Sequence, residues 1–339
     1  MNRLARRLLL LLLGALLLST AVLERPVEAG GGGKPEEVRL QLKWLHQAQF
    51  AGYYAARDRG YYADEGLDVT ILPGGPELAA EDVVNAGAAE FGINWMSALL
   101  RAREAGKPLV NIAQIFQDSG MRLVAFKSSG IKKVEDLAGR RVGVWFSGNE
   151  YQFMALAAKF HLSPPAEHMT VVEQPFEMTP FLQGELDVAH AMTYNELRYV
   201  LHTAKRKELR IFDYNRLGVS ILEDGIFARE DWLQTHPETA VKFLRASFRG
   251  WKWAVEHPEA AARMSFQYAG PEAPGGLVHQ RHMARGVARL VRGQGKRRPI
   301  GYLSPGRYER TWKTLVEQGV LAAEPQGAYT TEYWRRARR

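Results

Sequence analysis

The 339-residue chain contains no cysteine. That excludes a disulfide scaffold, thiolate zinc sites, iron–sulfur ligation, a catalytic thiol and a lipid-modified N-terminal cysteine. Long apolar runs are also scarce. After the N-terminal segment none approaches the roughly 20 residues that span a bilayer. No HExxH metal motif, P-loop or Ser/His/Asp arrangement is present, which agrees with binding rather than catalysis. A strong charge of one sign is missing from the body of the chain. The net +8 comes from 45 Lys+Arg against 37 Asp+Glu. Residues 281–339 alone carry +10 and residues 1–29 carry +2, leaving residues 30–280 at −4. The basic stretch around Arg292, Lys296, Arg297 and Arg298 and the final Arg335–Arg339 carries no nucleic-acid motif. A solvated face or a frayed tail is the expectation there, and no nucleic-acid partner.

What is present begins with a secretory signal. Arg3, Arg6 and Arg7 precede an apolar run from Leu8 to Val22, and Val27-Glu28-Ala29 is a small-x-small cleavage pattern. The run is too short for a membrane anchor. Cleavage near Ala29 is expected, giving an exported, soluble protein that is not a lipoprotein, in a periplasm. Residues 30–37, with Gly30–Gly33, read as a flexible leader.

From Val38 short apolar runs alternate with amphipathic stretches, as in an α/β sheet with crossover helices. Strands are expected at Val38–Trp44, Leu67–Leu72, Phe91–Trp95 and Leu109–Phe116. Helices are expected at Phe50–Glu65, Glu77–Ala86 and Ser97–Glu104. A second unit places strands at Arg141–Trp145, Thr170–Val172, Val188–Met192 and Leu209–Phe212. Its helices are a short one from Val134, then Glu150–Phe160, Glu177–Gln183 and Asn195–His202. After Gly225 a short strand, Ile226–Ala228, leads into helices Pro237–Glu256, Pro258–Tyr268, Leu277–Val291 and Pro305–Gln318. Pro237 and Pro258 suit first-turn positions.

One stretch is more specific. Gln41-Leu42-Lys43-Trp44-Leu45-His46-Gln47-Ala48-Gln49-Phe50-Ala51-Gly52-Tyr53-Tyr54 leads into Arg59-Gly60-Tyr61-Tyr62 and Asp64-Glu65-Gly66-Leu67-Asp68-Val69. Leu72–Pro76, Phe91–Trp95, Val142–Glu150, Ala191–Glu196 and Leu222–Ala228 come after it in order. The series resembles the periplasmic solute-binding proteins of ABC importers in the thiamine-pyrimidine-precursor family, with riboflavin and alkanesulfonate binders as near relatives. The resemblance implies a type II periplasmic binding protein of α/β class: two lobes with mixed sheets flanked by helices, joined by two crossing strands. Lobe 1 would combine 38–122 with 222–339, and lobe 2 would be 123–221. It also implies a small heteroaromatic ligand and an ABC permease with its cytoplasmic ATPase. Membrane contact would come only through the permease, the protein would be a monomer, and no cofactor or metal is implied. Pyrimidine synthases of this fold use a histidine and a cysteine-rich motif. A chain without cysteine and with a signal segment is therefore expected to bind, not to catalyse. A flavin-like ligand, a sulfonate or nitrate anion, and a sensing role beside a membrane signalling protein are the alternatives.

Ligands in open α/β sheets sit at carboxyl ends of strands, beside helix N-termini. Trp44, His46, Gln47 and Gln49 follow the first strand, and Trp95 follows the third. Trp145, Ser147 and Asn149 follow the first strand of the second unit, and Tyr194, Asn195 and Glu196 follow Val188–Met192. Indole and phenol faces suit a flat ring, and amides with a carboxylate suit its edge. Glu196 suits the paired N–H groups of an aminopyrimidine. Each has a plainer reading: the tryptophans as half-buried packing, Asn149 as a helix cap, His46 as a structural histidine, Glu196 as a first-turn acid. Tyr53, Tyr54, Tyr61 and Tyr62 lie at helical spacing and are mostly structural.

Overall fold

Two five-stranded mixed sheets organise the chain. The computed structural model describes residues 34–146, 148–294 and 298–339. The signal segment and the first part of the leader, Ser147, Lys296 and Arg297 lie outside the described residues. Pro35–Arg339 forms a single compact unit.

The first sheet has the order β2-β1-β3-β10-β4, from β1 Glu36–Gln41, β2 Leu67–Leu72, β3 Phe91–Asn94, β4 Leu109–Gln114 and β10 Gly225–Arg229. β1 runs parallel to β2 and β3, while β10 is antiparallel to β3 and β4. The second sheet has the order β7-β6-β8-β5-β9, from β5 Met121–Phe126, β6 Arg141–Val144, β7 Thr170–Glu173, β8 Val188–Met192 and β9 Leu209–Asp213. Here β5 is the antiparallel strand, between β8 and β9. Inner strands such as β8 are buried along their whole length, whereas the edge strand β2 alternates buried and exposed residues. That is the pattern expected of strands covered on two faces and on one.

The sequence missed β5 altogether. Met121-Arg122-Leu123-Val124-Ala125-Phe126 lies between Gly120 and a short 3-10 turn and shows no polar alternation, because both faces are covered. The first helix is not the single run Phe50–Glu65. A 3-10 turn at Ala48–Phe50 leads into Ala51–Asp58, Gly60 turns left-handed at φ 73°, and Tyr61–Asp64 restarts. The leader ends earlier than expected, because Glu36 and Glu37 already belong to β1. The expected helix at Glu77–Ala86 shortens to Ala80–Asn85, and that at Glu177–Gln183 to Thr179–Leu182. Pro237–Glu256 matches its helix end to end.

The chain passes between the sheets twice, after β4 and before β10. Glu223 ties the two passages together. It accepts from the Ser119 hydroxyl and the Gly120 amide of the first passage and from Gln152 Nε2. Asn215 adds bonds to the Ser119 amide and carbonyl at 3.0 and 2.8 Å.

The helices after β10 return to the first sheet. Pro237–Glu256 packs on Ala51–Asp58 through two glycines. A Cβ on Gly250 would stand 2.1 Å from the Gly52 carbonyl oxygen, and one on Gly52 would meet the Trp251 ring at 2.1 Å. Only bare backbone permits that approach. Beyond them, the Asn111 amide donates to Ala328 O and the Gln114 amide to Gly301 O, so C-terminal residues cover the β4 edge. The basic C-terminus is not a frayed tail. Glu332–Ala337 is a helix with Tyr333 and Ala337 buried, and Arg336 pairs with Glu238. Arg292 donates to Val255 O.

Candidate functional site

Between the two sheets lies a cleft of about 1100 Å³ that opens outward. At its inner end is a smaller cavity of about 60 Å³. Lys43, Trp44, Trp145, Asn149 and Phe176 line both.

Aromatic walls come from both sheets. Trp44, after β1, meets Phe176 edge-on at 4.4 Å between ring centroids. Trp145, after β6, lies nearly parallel to Phe176 at 6.0 Å and donates its indole N–H to Pro175 O. Trp95, after β3, is buried and donates its indole N–H to Asp224 Oδ1 at 3.2 Å. The Trp95 and Trp145 indoles are held by their own N–H bonds, so their faces are fixed before any ring arrives.

The polar residues form two connected groups. On the first-sheet side Gln47 Nε2 donates to Gln49 Oε1 at 2.7 Å, and Gln49 Nε2 donates to Asp224 Oδ2 at 2.8 Å. Asp224 is buried and left-handed at φ 50°. Burial, reinforced by the neighbouring Glu223 charge, pushes its carboxyl up to about 7 against the Gln49, Lys43 and Trp95 interactions. On the second-sheet side Glu196 begins a helix after β8. Its Oε2 accepts from the Met192 amide at 2.9 Å and its Oε1 from Asn195 Nδ2 at 2.6 Å. Burial pushes its carboxyl up to about 7, against those two bonds. Tyr194 is buried in the cavity wall.

Of the residues expected at the site, Trp44, Gln47, Gln49, Trp95, Trp145, Asn149, Tyr194, Asn195 and Glu196 line the inner cavity. His46 does not. It shares a 3.0 Å hydrogen bond with the Tyr54 hydroxyl and lies against Tyr268, on the helical side of its loop. Ser147 lies outside the described residues. Asn149 is not a helix cap. Its Nδ2 donates to Phe146 O, and Glu150 takes the cap position. Tyr53, Tyr54 and Tyr62 are buried packing.

Four residues of the site escaped the sequence reading: Lys43, Phe176, Met192 and, through its bonds, Asp224. Lys43 and Asp224 sit inside the Gln41–Tyr54 and Leu222–Ala228 motifs, and an acid pair before a strand was the available signal. Phe176, in an irregular loop after β7, carries no signal. Lys43 is held over the Trp95 ring, 4.8 Å from its centroid, and donates to Asn149 Oδ1 across the cleft at 3.5 Å. Burial lowers its pKa, with Asp224, Glu81 and Glu223 acting the other way. Among the described residues no cluster of metal-ligating side chains occurs, and no helix is long and apolar enough to cross a membrane.

The riboflavin-binding protein RibY of Chloroflexus aurantiacus is 26% identical over 310 residues, covering 88% of this chain and 86% of that protein. The 4-amino-5-hydroxymethyl-2-methylpyrimidine phosphate synthase THI13 of Saccharomyces cerevisiae is 22% identical over 316 residues, 88% of each. Among solved structures, the periplasmic sulfonate-binding protein SsuA of Methylobacillus flagellatus superposes with a TM-score of 0.67 at 16% identity, covering 90% of this chain and 94% of that one. The fold is that of the periplasmic binding proteins. The family described as NMT1/THI5 like matches residues 47–261, and the chain belongs to that family.

Proposed function

We propose that the protein is the exported binding component of an ABC importer and captures a heteroaromatic vitamin precursor of the thiamine-pyrimidine type. The two sheets would be the cores of two lobes, 38–122 with 222–339 and 123–221, closing on the ligand about the passages stapled by Glu223. The observation that carries this reading is the cavity itself: it has indole faces from both sheets, Glu196 on one side and the Asp224-bound Gln49 and Trp95 on the other. Flat rings gain from stacking on fixed indoles, and a buried carboxylate reads ring and amino N–H groups. Closure would be favoured because only the closed state joins ligand contacts from both sides. The protein would act after cleavage near Ala29, in the periplasm, as a monomer that hands its ligand to a permease with a cytoplasmic ATPase. It would not be an enzyme. The lack of cysteine supports that against the synthase relatives.

A riboflavin-type ligand is the second reading, favoured by the 1100 Å³ outer cleft and by the relative named as a riboflavin binder. Calorimetry of the mature protein against pyrimidines, thiamine, riboflavin, sulfonates and nitrate tests both. Heteroaromatic binding is expected. Binding of small aliphatic anions alone would overturn the aromatic reading, and turnover of a bound pyrimidine would overturn the non-enzyme reading.

A further inference from the structure

The outer cleft holds an acid and a base, Glu81 and Lys43, that the protein leaves incompletely partnered; burial raises the pKa of the first and lowers that of the second. Glu81, in the Ala80–Asn85 helix, lines this cleft yet is only 4% exposed. Its Oε2 accepts from Asn94 Nδ2 at 2.9 Å, while its buried Oε1 has no hydrogen-bond partner among the described residues. Asn94 is itself fixed, because its Oδ1 accepts from the Trp95 amide at 2.8 Å. The carboxylate is thus oriented by the same residue that leads into the stacking Trp95. On the same cleft Lys43 has its 3.5 Å bond to Asn149 and forms no ion pair among the described residues. Lys43 and Glu81 act on each other's charge without touching as a salt bridge.

A buried acceptor left unpaired is costly, and native proteins rarely keep one without a use. The chemistry of the pair narrows what completes it. An ammonium group on Glu81 would be opposed by Lys43. A phosphate or sulfonate on Lys43 would be opposed by Glu81, and the rest of the lining, Glu77 and Glu173 against Arg101 and Lys107, favours neither sign. A hydroxyl satisfies both, since it donates one proton and accepts at its lone pairs. With a ring bound in the inner cavity, on which this inference rests, we propose that the outer cleft is a second subsite, which takes a neutral hydroxylated substituent of the ring. The substituent's hydroxyl donates to Glu81 Oε1, and the same hydroxyl, or a second one on a longer substituent, accepts from Lys43 Nζ. Glu81 is then a specificity-determining residue: it separates hydroxylated rings from the same rings without the hydroxyl.

The test compares ligand pairs by calorimetry on the full mature chain. One pair is 4-amino-5-hydroxymethyl-2-methylpyrimidine and 4-amino-2,5-dimethylpyrimidine; the other is riboflavin and lumiflavin. In the unaltered protein the hydroxylated member of the pair that binds should be tighter by about tenfold or more, the scale of a hydrogen bond to a charged group. Glu81→Gln should shrink that ratio several-fold. Equal affinities within a pair, measured on the unaltered protein and so independent of any folding defect, would overturn the subsite while leaving the ring reading intact. A ratio unmoved by Glu81→Gln, in a variant with unaltered circular dichroism, would also overturn it. Failure of all four compounds to bind would overturn the ring reading and the subsite with it.

Discussion

His279 Nε2 lies 2.7 Å from Asn195 Oδ1 and links the Gly276–Arg292 helix to the turn after β8. The same Asn195 donates through Nδ2 to Glu196, so its Oδ1 can only accept and His279 must carry its proton on Nε2. His279 Nδ1 is left without a partner among the described residues. Burial, then the charges of His202, His282 and Arg198, hold the ring's pKa down at about 4, so it is neutral near pH 7. The ring also stacks on Tyr199 at 4.2 Å. A residue of the candidate cavity is therefore oriented from outside it.

Removing that link should be felt in the fold. His279→Ala is expected to cost about 1–3 kcal/mol, since it deletes a partly buried hydrogen bond and leaves Asn195 Oδ1 unpaired. His279→Gln, which keeps a donor, should recover part of the loss. Urea unfolding at pH 7.5 measures both, and equal losses in the two variants would contradict the role given to Nε2.

Glu196 should matter to an aminopyrimidine. At pH 8, above the Glu196 pKa of about 7, Glu196→Gln replaces a charged acceptor with a neutral amide while keeping its shape. Affinity for 4-amino-5-hydroxymethyl-2-methylpyrimidine is expected to fall by roughly 1.5–3 kcal/mol by calorimetry. An unchanged affinity would leave Glu196 as an acid that serves only its own turn, bonded to Met192 N and Asn195.

The pH dependence of stability follows from Asp224. Its folded pKa, about 7, lies above the ordinary carboxylate value. Between about pH 4 and pH 7 the folded protein binds more protons than the unfolded chain. The contribution is fully present below the ordinary carboxylate range and is lost as pH rises through 7. Glu196 acts in the same direction. His279 acts oppositely, its contribution being lost as pH falls toward 4. Asp224→Asn removes one acid alone, so its unfolding free energy should fall less between pH 4 and 7 than that of the unaltered protein. Parallel curves in urea titrations at stepped pH would contradict this.

Gly250 tests the helix contact that carries the C-terminal half back to the first sheet. Gly250→Ala is expected to destabilise by about 1–3 kcal/mol or more, because the atom it meets is backbone. Gly306, a helical glycine with nothing within 4 Å of an added Cβ, is the control. Gly306→Ala should be neutral or stabilising by up to about 1 kcal/mol. Thermal unfolding of the pair separates overpacking from helix propensity.

Periodicity and punctuation made much of this molecule legible from its residues. Edge strands alternate because one face meets solvent, and proline-started helices such as Pro237–Glu256 show both ends locally. The ordered motifs from Gln41 to Ala228 pointed to the family and to nine of the eleven residues expected at the cavity. Tertiary structure alone decided the rest, because it depends on what lies across space. β5 could not be read, since a strand buried on both faces has no alternation. His46 left the cavity because Tyr54 and Tyr268 pack it elsewhere. Asp224, Lys43 and Glu81 gained their meaning only when folding placed Gln49, Trp95 and Asn94 beside them. The missing cysteine could be read at once; that a buried Glu81 keeps one oxygen unpaired among the described residues could be read only in three dimensions.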